Sequence, residues 1–286
     1  MIETVRTWGR MVKFSHSVFA LPFAVAGAVL ATRESGFTWM QLLWIVVAMV
    51  CARNAAMGFN RLVDHRLDAA NPRTAGRELP AGTLSPAAVG LFTVLLLAGF
   101  VLAASALNRL CLLLSPLAIA IILGYSFTKR FTWGSHLFLG LALAIAPVGG
   151  WVAIAGSFAW TPWLLAAAVL LWVAGFDIIY SCQDAAHDRK AGLHSIPGRF
   201  GIRSALIIAR TFHVMALLVL AAVGVTAGLH LVYQAGLVLI AGLFLWEHRL
   251  VRADDMSRVD MAFFNMNGII AVLYLVVILT AQYMGG

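Results

Sequence analysis

Residues 39–68 read WMQLLWIVVAMVCARNAAMGFNRLVDHRLD, an unbroken apolar run that passes directly into a segment carrying Asn60, Asp64 and Asp68. The first part reads as a membrane-crossing helix, since a bilayer core about 30 Å thick needs roughly 20 mostly apolar residues to span it. The second part places three polar side chains at i, i+4 and i+8, which aligns them on one face of a helix. Apolar span followed by acidic stripe is the unit from which the rest of the chain is read.

The same apolar density runs through the protein. Of 286 residues, 62% are hydrophobic and 11% charged, against roughly 45–50% apolar in ordinary soluble domains. Nine spans are expected, at about Ser15–Thr32, Trp39–Phe59, Ala87–Leu107, Leu110–Thr128, Leu137–Ala155, Trp163–Cys182, Ala205–Val225, Leu231–Trp246 and Met261–Tyr283. Period-two alternation is absent, which excludes a membrane β-barrel. The fold class is therefore all-α, a polytopic membrane protein, with residues 1–286 forming one domain: two four-helix halves, about 1–133 and 134–250, and a ninth helix. The long polar connections are expected at Asn60–Pro86 and Gln183–Arg203.

A net charge of +8 invites a nucleic-acid reading until its placement is considered. With the N-terminus inside, sixteen of the 20 Lys and Arg fall on one face, Arg33 and Arg109 fall on the other, and Arg53 and Arg210 lie within spans. That bias marks the basic face as cytoplasmic and accounts for the charge without nucleic acid. The expected location is the inner (cytoplasmic) membrane, with the C-terminus outside. The first apolar run reads as an anchor rather than a cleaved signal. Cys51, Cys111 and Cys182 form no CxxC pair and read as small core residues.

Five of the twelve acids sit in two short segments. Beside Asp64 and Asp68, the stretch DIIYSCQDAAHDRK (177–190) carries Asp177, Asp184 and Asp188 at spacings of seven and four, with Tyr180 four residues before Asp184. Clustered carboxylates near membrane level are expensive and point to function. An all-oxygen donor set of Asn60, Asp64, Asp68, Asp184 and Asp188 suits Mg²⁺, which takes carboxylates, waters and substrate phosphates. Asp177 lies deeper in its span and fits a metal ligand, a proton acceptor or a group behind the ligands. Arg73, Arg77, Lys129, Arg130 and Lys190 surround the motifs with charges suited to a diphosphate, and Tyr125 shares a face with Lys129. Lys13 and His16 lie at the mouth of the first span, where snorkelling explains Lys13 as well as substrate binding does, and Arg53, within the second, is expected to meet an anion, either an Asp or a ligand.

Taken together, NxxxDxxxD at Asn60–Asp68, DxxxD at Asp184–Asp188, NPRT at Asn71–Thr74, Arg77, PAG at Pro80–Gly82 and YSFTKR at Tyr125–Arg130 resemble the UbiA superfamily of intramembrane aromatic prenyltransferases. The resemblance implies a helical bundle around a central cavity open sideways to lipid, Mg²⁺ bridging the Asp motifs to a polyprenyl diphosphate, and transfer of the prenyl group to an aromatic hydroxy acid in quinone synthesis. It implies no obligate protein partner. In place of an RPIG-like segment and RPLPAG this chain has KFSHSVFALPFA (13–24) and RELPAG (77–82), which is more similar to the relatives acting on 1,4-dihydroxy-6-naphthoate in the futalosine menaquinone route than to those acting on 4-hydroxybenzoate for ubiquinone. Two other classes compete: a CDP-alcohol phosphotransferase, whose DGxxAR prefix is missing here, and an ion-coupled transporter, whose site belongs at the midplane rather than at one face.

Overall fold

In lipid every backbone amide must be satisfied within the chain, so the apolar runs become helices. The computed structural model describes residues 2–12, 20–33, 35–229 and 231–284. In chain order the helices are α1 (Ile2–Met11), α2 (Leu21–Ala31), α3 (Trp39–Ala70), α4 (Pro86–Leu107), α5 (Arg109–Thr128), α6 (Ser135–Ala155), α7 (Trp160–Ser181), α8 (Ala185–Lys190), α9 (Ile196–Phe200), α10 (Ile202–Thr226), α11 (Leu231–Leu250) and α12 (Asn267–Met284). A 3₁₀ turn at Cys182–Asp184 links α7 to α8, and a π-helical turn at Met261–Met266 leads into α12.

Among the described residues eight helices, not nine, are long and apolar enough to cross a membrane. The first expected span is represented by α2, eleven residues long; residues 15–19 lie outside the described ones. The expected loop at Asn60–Pro86 is also shorter than its sequence range. Helix α3 has 32 residues, about 48 Å at 1.5 Å per residue, so it outruns the hydrocarbon and carries its acidic stripe beyond it. Polar Arg, Asp and His side chains are compatible with helix once the lipid ends. The stop comes at Asn71, held in extended backbone (φ −97°, ψ 119°) because Pro72 disfavours helix at the residue before it. The second expected loop likewise contains α8 and α9.

Leu91, Leu95, Leu113, Leu218, Val238 and Leu245 are exposed around the perimeter, as lipid-facing residues should be. Trp39, Trp160 and Trp163 are exposed at one end and Trp133 and Trp246 at the other, the positions amphipathic rings take at headgroup level. Inside, α2, α6 and α7 form the core with Phe23, Trp151, Trp172 and Phe176. Helices α2 and α6 touch backbone to backbone: a Cβ at Gly150 would overlap the Ala24 carbonyl, and one at Gly27 the Pro147 carbonyl. Small residues at such crossings let membrane helices pack by contact rather than by water exclusion.

A buried polar chain ties the second half together. Trp172 Nε1 donates to Asn267 Oδ1 and Asn267 Nδ2 donates to Glu247 Oε1 at 3.0 Å. His213 Nε2 lies 3.2 Å from the Trp172 carbonyl, and its Nδ1 3.0 Å from His248 Nε2. Four helices, α7, α10, α11 and α12, are thereby cross-linked by hydrogen bonds. Asn267→Ala strands the Trp172 indole N–H and Glu247, at about 1–3 kcal/mol for each buried group left unpaired. The detergent-solubilised variant is expected to melt clearly below the parent, whereas Glu247→Gln, which keeps an oxygen for Asn267, is expected to melt close to it.

Candidate active site

The helices enclose a cavity of about 970 Å³. One end is polar and lined by Asn60, Asp64, Asp68, Asp177, Asp184 and Asp188; the other is walled by Met49, Phe100, Leu114, Leu117, Phe158 and Trp163. Leu117 is 60% exposed and Trp163 50%, so the apolar end meets the lipid-facing surface.

Both motifs reach the polar end, by different local routes. On α3 the stripe is continuous, and Asn60 Nδ2 donates to Asp64 Oδ2 at 2.9 Å, one helical turn apart. The second motif departs from the single stripe expected for residues 177–188. The 3₁₀ turn at Cys182–Asp184 tightens the backbone between α7 and α8, re-aiming Asp184 and burying Asp188 to 1% exposure.

Each of the four motif carboxylates meets a base. Asp64 pairs with Arg130 at 2.9 Å, Asp68 with Arg77 at 2.7 Å, Asp184 with Arg73 and Asp188 with Lys129 at 2.9 Å. Arg73 also donates from Nε to Asp184 Oδ1 at 2.9 Å and from Nη1 to the Tyr180 hydroxyl at 3.0 Å, while Asn71 Nδ2 donates to the same Asp184 oxygen at 3.1 Å. Burial works to lower the Arg73 pKa, but Asp184 and Tyr180 outweigh it and hold the guanidinium above its ordinary value. Arg73 is thus a permanent cation at any working pH. Arg130 reaches further, from Nη2 to the Val63 carbonyl at 2.9 Å, locking the end of α5 onto α3.

The carboxylates do not form a preassembled cage. Among the described residues no group of three or more His, Cys, Asp or Glu is arranged to hold a metal ion. Asn60, Asp64 and Asp68 all line the cavity, with Asn60 bonded to Asp64 and Asp68 turned to Arg77. The donor set nonetheless fits Mg²⁺, which typically uses one or two carboxylates with substrate phosphates. One atom carries that fit: Asp188 Oδ2 is buried without a hydrogen-bond partner among the described residues, an arrangement that a cation at the mouth would satisfy.

Of the other expected site residues, Tyr125, Arg53 and Tyr180 line the cavity. Arg53 donates to the Val12 carbonyl at 2.8 Å, and Arg210 is exposed on α10. Lys190 is exposed and absent from the cavity wall, because two residues along a helix rotate it to the face opposite the inward-turned Asp188. Lys13 and His16 lie outside the described residues. Sequence reasoning missed three contributors. Arg61, 3% exposed, lies 3.8 Å from Asp68 and donates to the Met11 carbonyl. Asn71 was visible only as part of NPRT. His136 belongs to no sequence motif, yet its Nδ1 lies 2.6 Å from Asp177 Oδ2.

Paired carboxylates and bases at the mouth of an apolar cavity are the layout expected of an intramembrane polyprenyltransferase. Comparison with known proteins agrees: the model of the UbiA prenyltransferase family matches residues 20–269, and the chain belongs to that family. It is 30% identical over 275 residues to the 4-hydroxybenzoate octaprenyltransferase of Vibrio campbellii, covering 95% of this chain and 93% of the relative. The apo structure of a UbiA homolog from Aeropyrum pernix superposes with a TM-score of 0.85 at 34% identity, covering 93% of this chain and 97% of that one. A UbiA homolog from Archaeoglobus fulgidus bound to DMAPP and Mg²⁺ shares the fold, with a TM-score of 0.77 at 20% identity over 97% and 99% of the two chains.

Asp64→Ala and Asp184→Ala each remove a motif carboxylate and leave Arg130 or Arg73 without it. Turnover of prenyl diphosphate by the purified variants is expected to fall by at least about 10²-fold, the scale of losing one preorganised charged group at a reacting centre. Circular dichroism is expected to show parent-like helix content, so the loss reads as chemistry rather than unfolding.

Proposed function

We propose that this protein transfers a polyprenyl group from polyprenyl diphosphate to an aromatic hydroxy acid in a Mg²⁺-dependent reaction of quinone biosynthesis. The observation that carries the reading is the set of four carboxylates, each paired with Arg or Lys, at the polar mouth of an apolar cavity of about 970 Å³. The Mg²⁺ and prenyl diphosphate in the Archaeoglobus fulgidus homolog support the same donor half.

In this reading Asp64, Asp68, Asp184 and Asp188, with Asn60 beside Asp64, hold the metal, which when bound supplies Lewis-acid charge neutralisation to the departing diphosphate. Arg73, Arg77, Lys129 and Arg130 turn from their carboxylates to the diphosphate oxygens, which match guanidinium forks and a lysine point charge. Tyr125, beside Lys129 at the mouth, adds a hydroxyl to that set. The apolar wall holds the prenyl chain and excludes water, which would otherwise quench an allylic cation.

For the acceptor, we favour 1,4-dihydroxy-6-naphthoate, on the departures KFSHSVFALPFA and RELPAG; in the latter, Glu78 is 3.8 Å from Arg10 of α1. The name of the Vibrio campbellii relative supports the second reading, 4-hydroxybenzoate. Both carry a carboxylate that Arg53, Lys13 or His16 would meet and a ring hydroxyl for Tyr180. The positive-inside bias supports placing the mouth and the N-terminus on the cytoplasmic side of the inner membrane, with the C-terminus outside. Residues 1–286 are read as one domain.

The test supplies purified protein, Mg²⁺ and labelled prenyl diphosphate with each acid in turn. A lipid-soluble ring adduct is expected, faster with the naphthoate, and chelation with EDTA is expected to abolish it until Mg²⁺ is restored. Diphosphate release with no adduct from either acid contradicts the aromatic reading, and flux of the acid across proteoliposomes without conversion favours a transporter.

A further inference from the structure

Asp177 stands apart from the other four carboxylates of the cavity. Those four face Arg or Lys; Asp177 faces His136, whose Nδ1 lies 2.6 Å from Asp177 Oδ2. The opposite ring nitrogen, Nε2, accepts the backbone N–H of Ile196 at 3.3 Å. A nitrogen that accepts carries no proton, so the imidazole is the neutral tautomer with its proton on Nδ1, donated to Asp177. His136 is itself buried, 2% exposed, and is held between α7 and the start of α9. The result is a carboxylate oriented by an imidazole rather than by an Arg or Lys. Among the described residues its other oxygen, Oδ1, accepts no hydrogen bond.

Position agrees with that chemistry. Asp177 lies on α7 seven residues before Asp184, about 10 Å deeper at 1.5 Å per residue. Val173, one helical turn before it on α7, lines the same cavity as Asp177, so the polar wall gives way to apolar residues just beyond Asp177. A diphosphate at the mouth with its chain in the tunnel puts the breaking C–O bond at this boundary.

Resting on the aromatic-transfer reading above, we propose that Asp177 is the base that removes the ring proton and that His136 is its positioning residue. The allylic C–O bond breaks and diphosphate leaves with the electron pair. A ring carbon of the acceptor uses a π pair to bond the allylic carbon, giving a cationic ring. The C–H bond at that carbon then breaks: its electron pair restores aromaticity and its proton goes to Asp177 Oδ1, to be lost to water when product leaves. No oxidant or further reactant is needed. His136 keeps its own proton throughout, because Nε2 is occupied by Ile196. A positioned base of this kind contributes typically about 10²–10⁴-fold.

The experiment uses the full-length protein with Mg²⁺, prenyl diphosphate and an acceptor carrying deuterium at the ring position that is alkylated. In the parent, adduct and diphosphate form one to one, with no isotope effect. Asp177→Asn is expected to slow adduct formation by about 10²-fold or more, to show a primary isotope effect as proton removal becomes limiting, and to release diphosphate in excess of adduct. His136→Leu is expected to show the same signature more weakly, and His136→Asn, whose amide N–H can still reach Asp177, to recover most of the parent behaviour. Asp177→Asn with parent-like rate and no isotope effect overturns the assignment. Equal loss of diphosphate release and adduct, without an isotope effect, also overturns it by placing Asp177 in the donor half. A parent enzyme that releases diphosphate but alkylates no ring overturns the aromatic reading itself.

Discussion

The pairing of four carboxylates with four bases at the mouth of one cavity is the constraint on which the structure depends. Charges near lipid are tolerated when they are compensated, and here the compensation also joins the helices. Arg130 joins α5 to α3, Arg73 joins the segment after α3 to α7 and its 3₁₀ turn, and Lys129 joins α5 to α8. The bonds that close the bundle at its polar end are those that a metal and a diphosphate would reorganise. The side chains that hold the bundle closed at its polar end are therefore also those placed to meet a ligand there.

This arrangement explains why the mouth carries several acids while no preassembled metal cage is found among the described residues. Bare carboxylates gathered around one point would repel each other and leave charge desolvated. Distributing them over two facing stripes, each acid beside a base, avoids that cost. In the proposed reading these carboxylates would hold the metal, and the bases beside them would take up the diphosphate oxygens. Asp177 follows a different rule. It faces the His136 imidazole rather than Arg or Lys, the arrangement behind its proposed role as a base.

Much of this was legible in the sequence, because helix periodicity is a local property. The i, i+4, i+8 spacing of Asn60, Asp64 and Asp68 gave the face of α3, and apolar runs gave eight of the spans. What was not legible depended on partners distant in the chain. His136 meets Asp177 across 41 residues and Arg73 meets Asp184 across 111; no spacing rule within one helix encodes either. Hydropathy also misplaced the end of α3, since it reports where lipid ends and not where helix ends, and Pro72 governs the latter. The 3₁₀ turn at Cys182–Asp184 broke a stripe that looked continuous because seven-residue and four-residue spacings fit an ideal helix. Lys190 followed its neighbours in the sequence but not in space.

The central claim is that metal and diphosphate enter together, by exchange of these ion pairs. Calorimetric titration of Mg²⁺ into the purified protein, with and without a non-hydrolysable prenyl thiodiphosphate, tests it most directly. Weak or undetectable Mg²⁺ binding to the protein alone, and binding tighter by at least about tenfold, a coupling near 1.4 kcal/mol, with the analogue present, is the predicted result. Tight Mg²⁺ binding that is indifferent to the diphosphate would contradict the account.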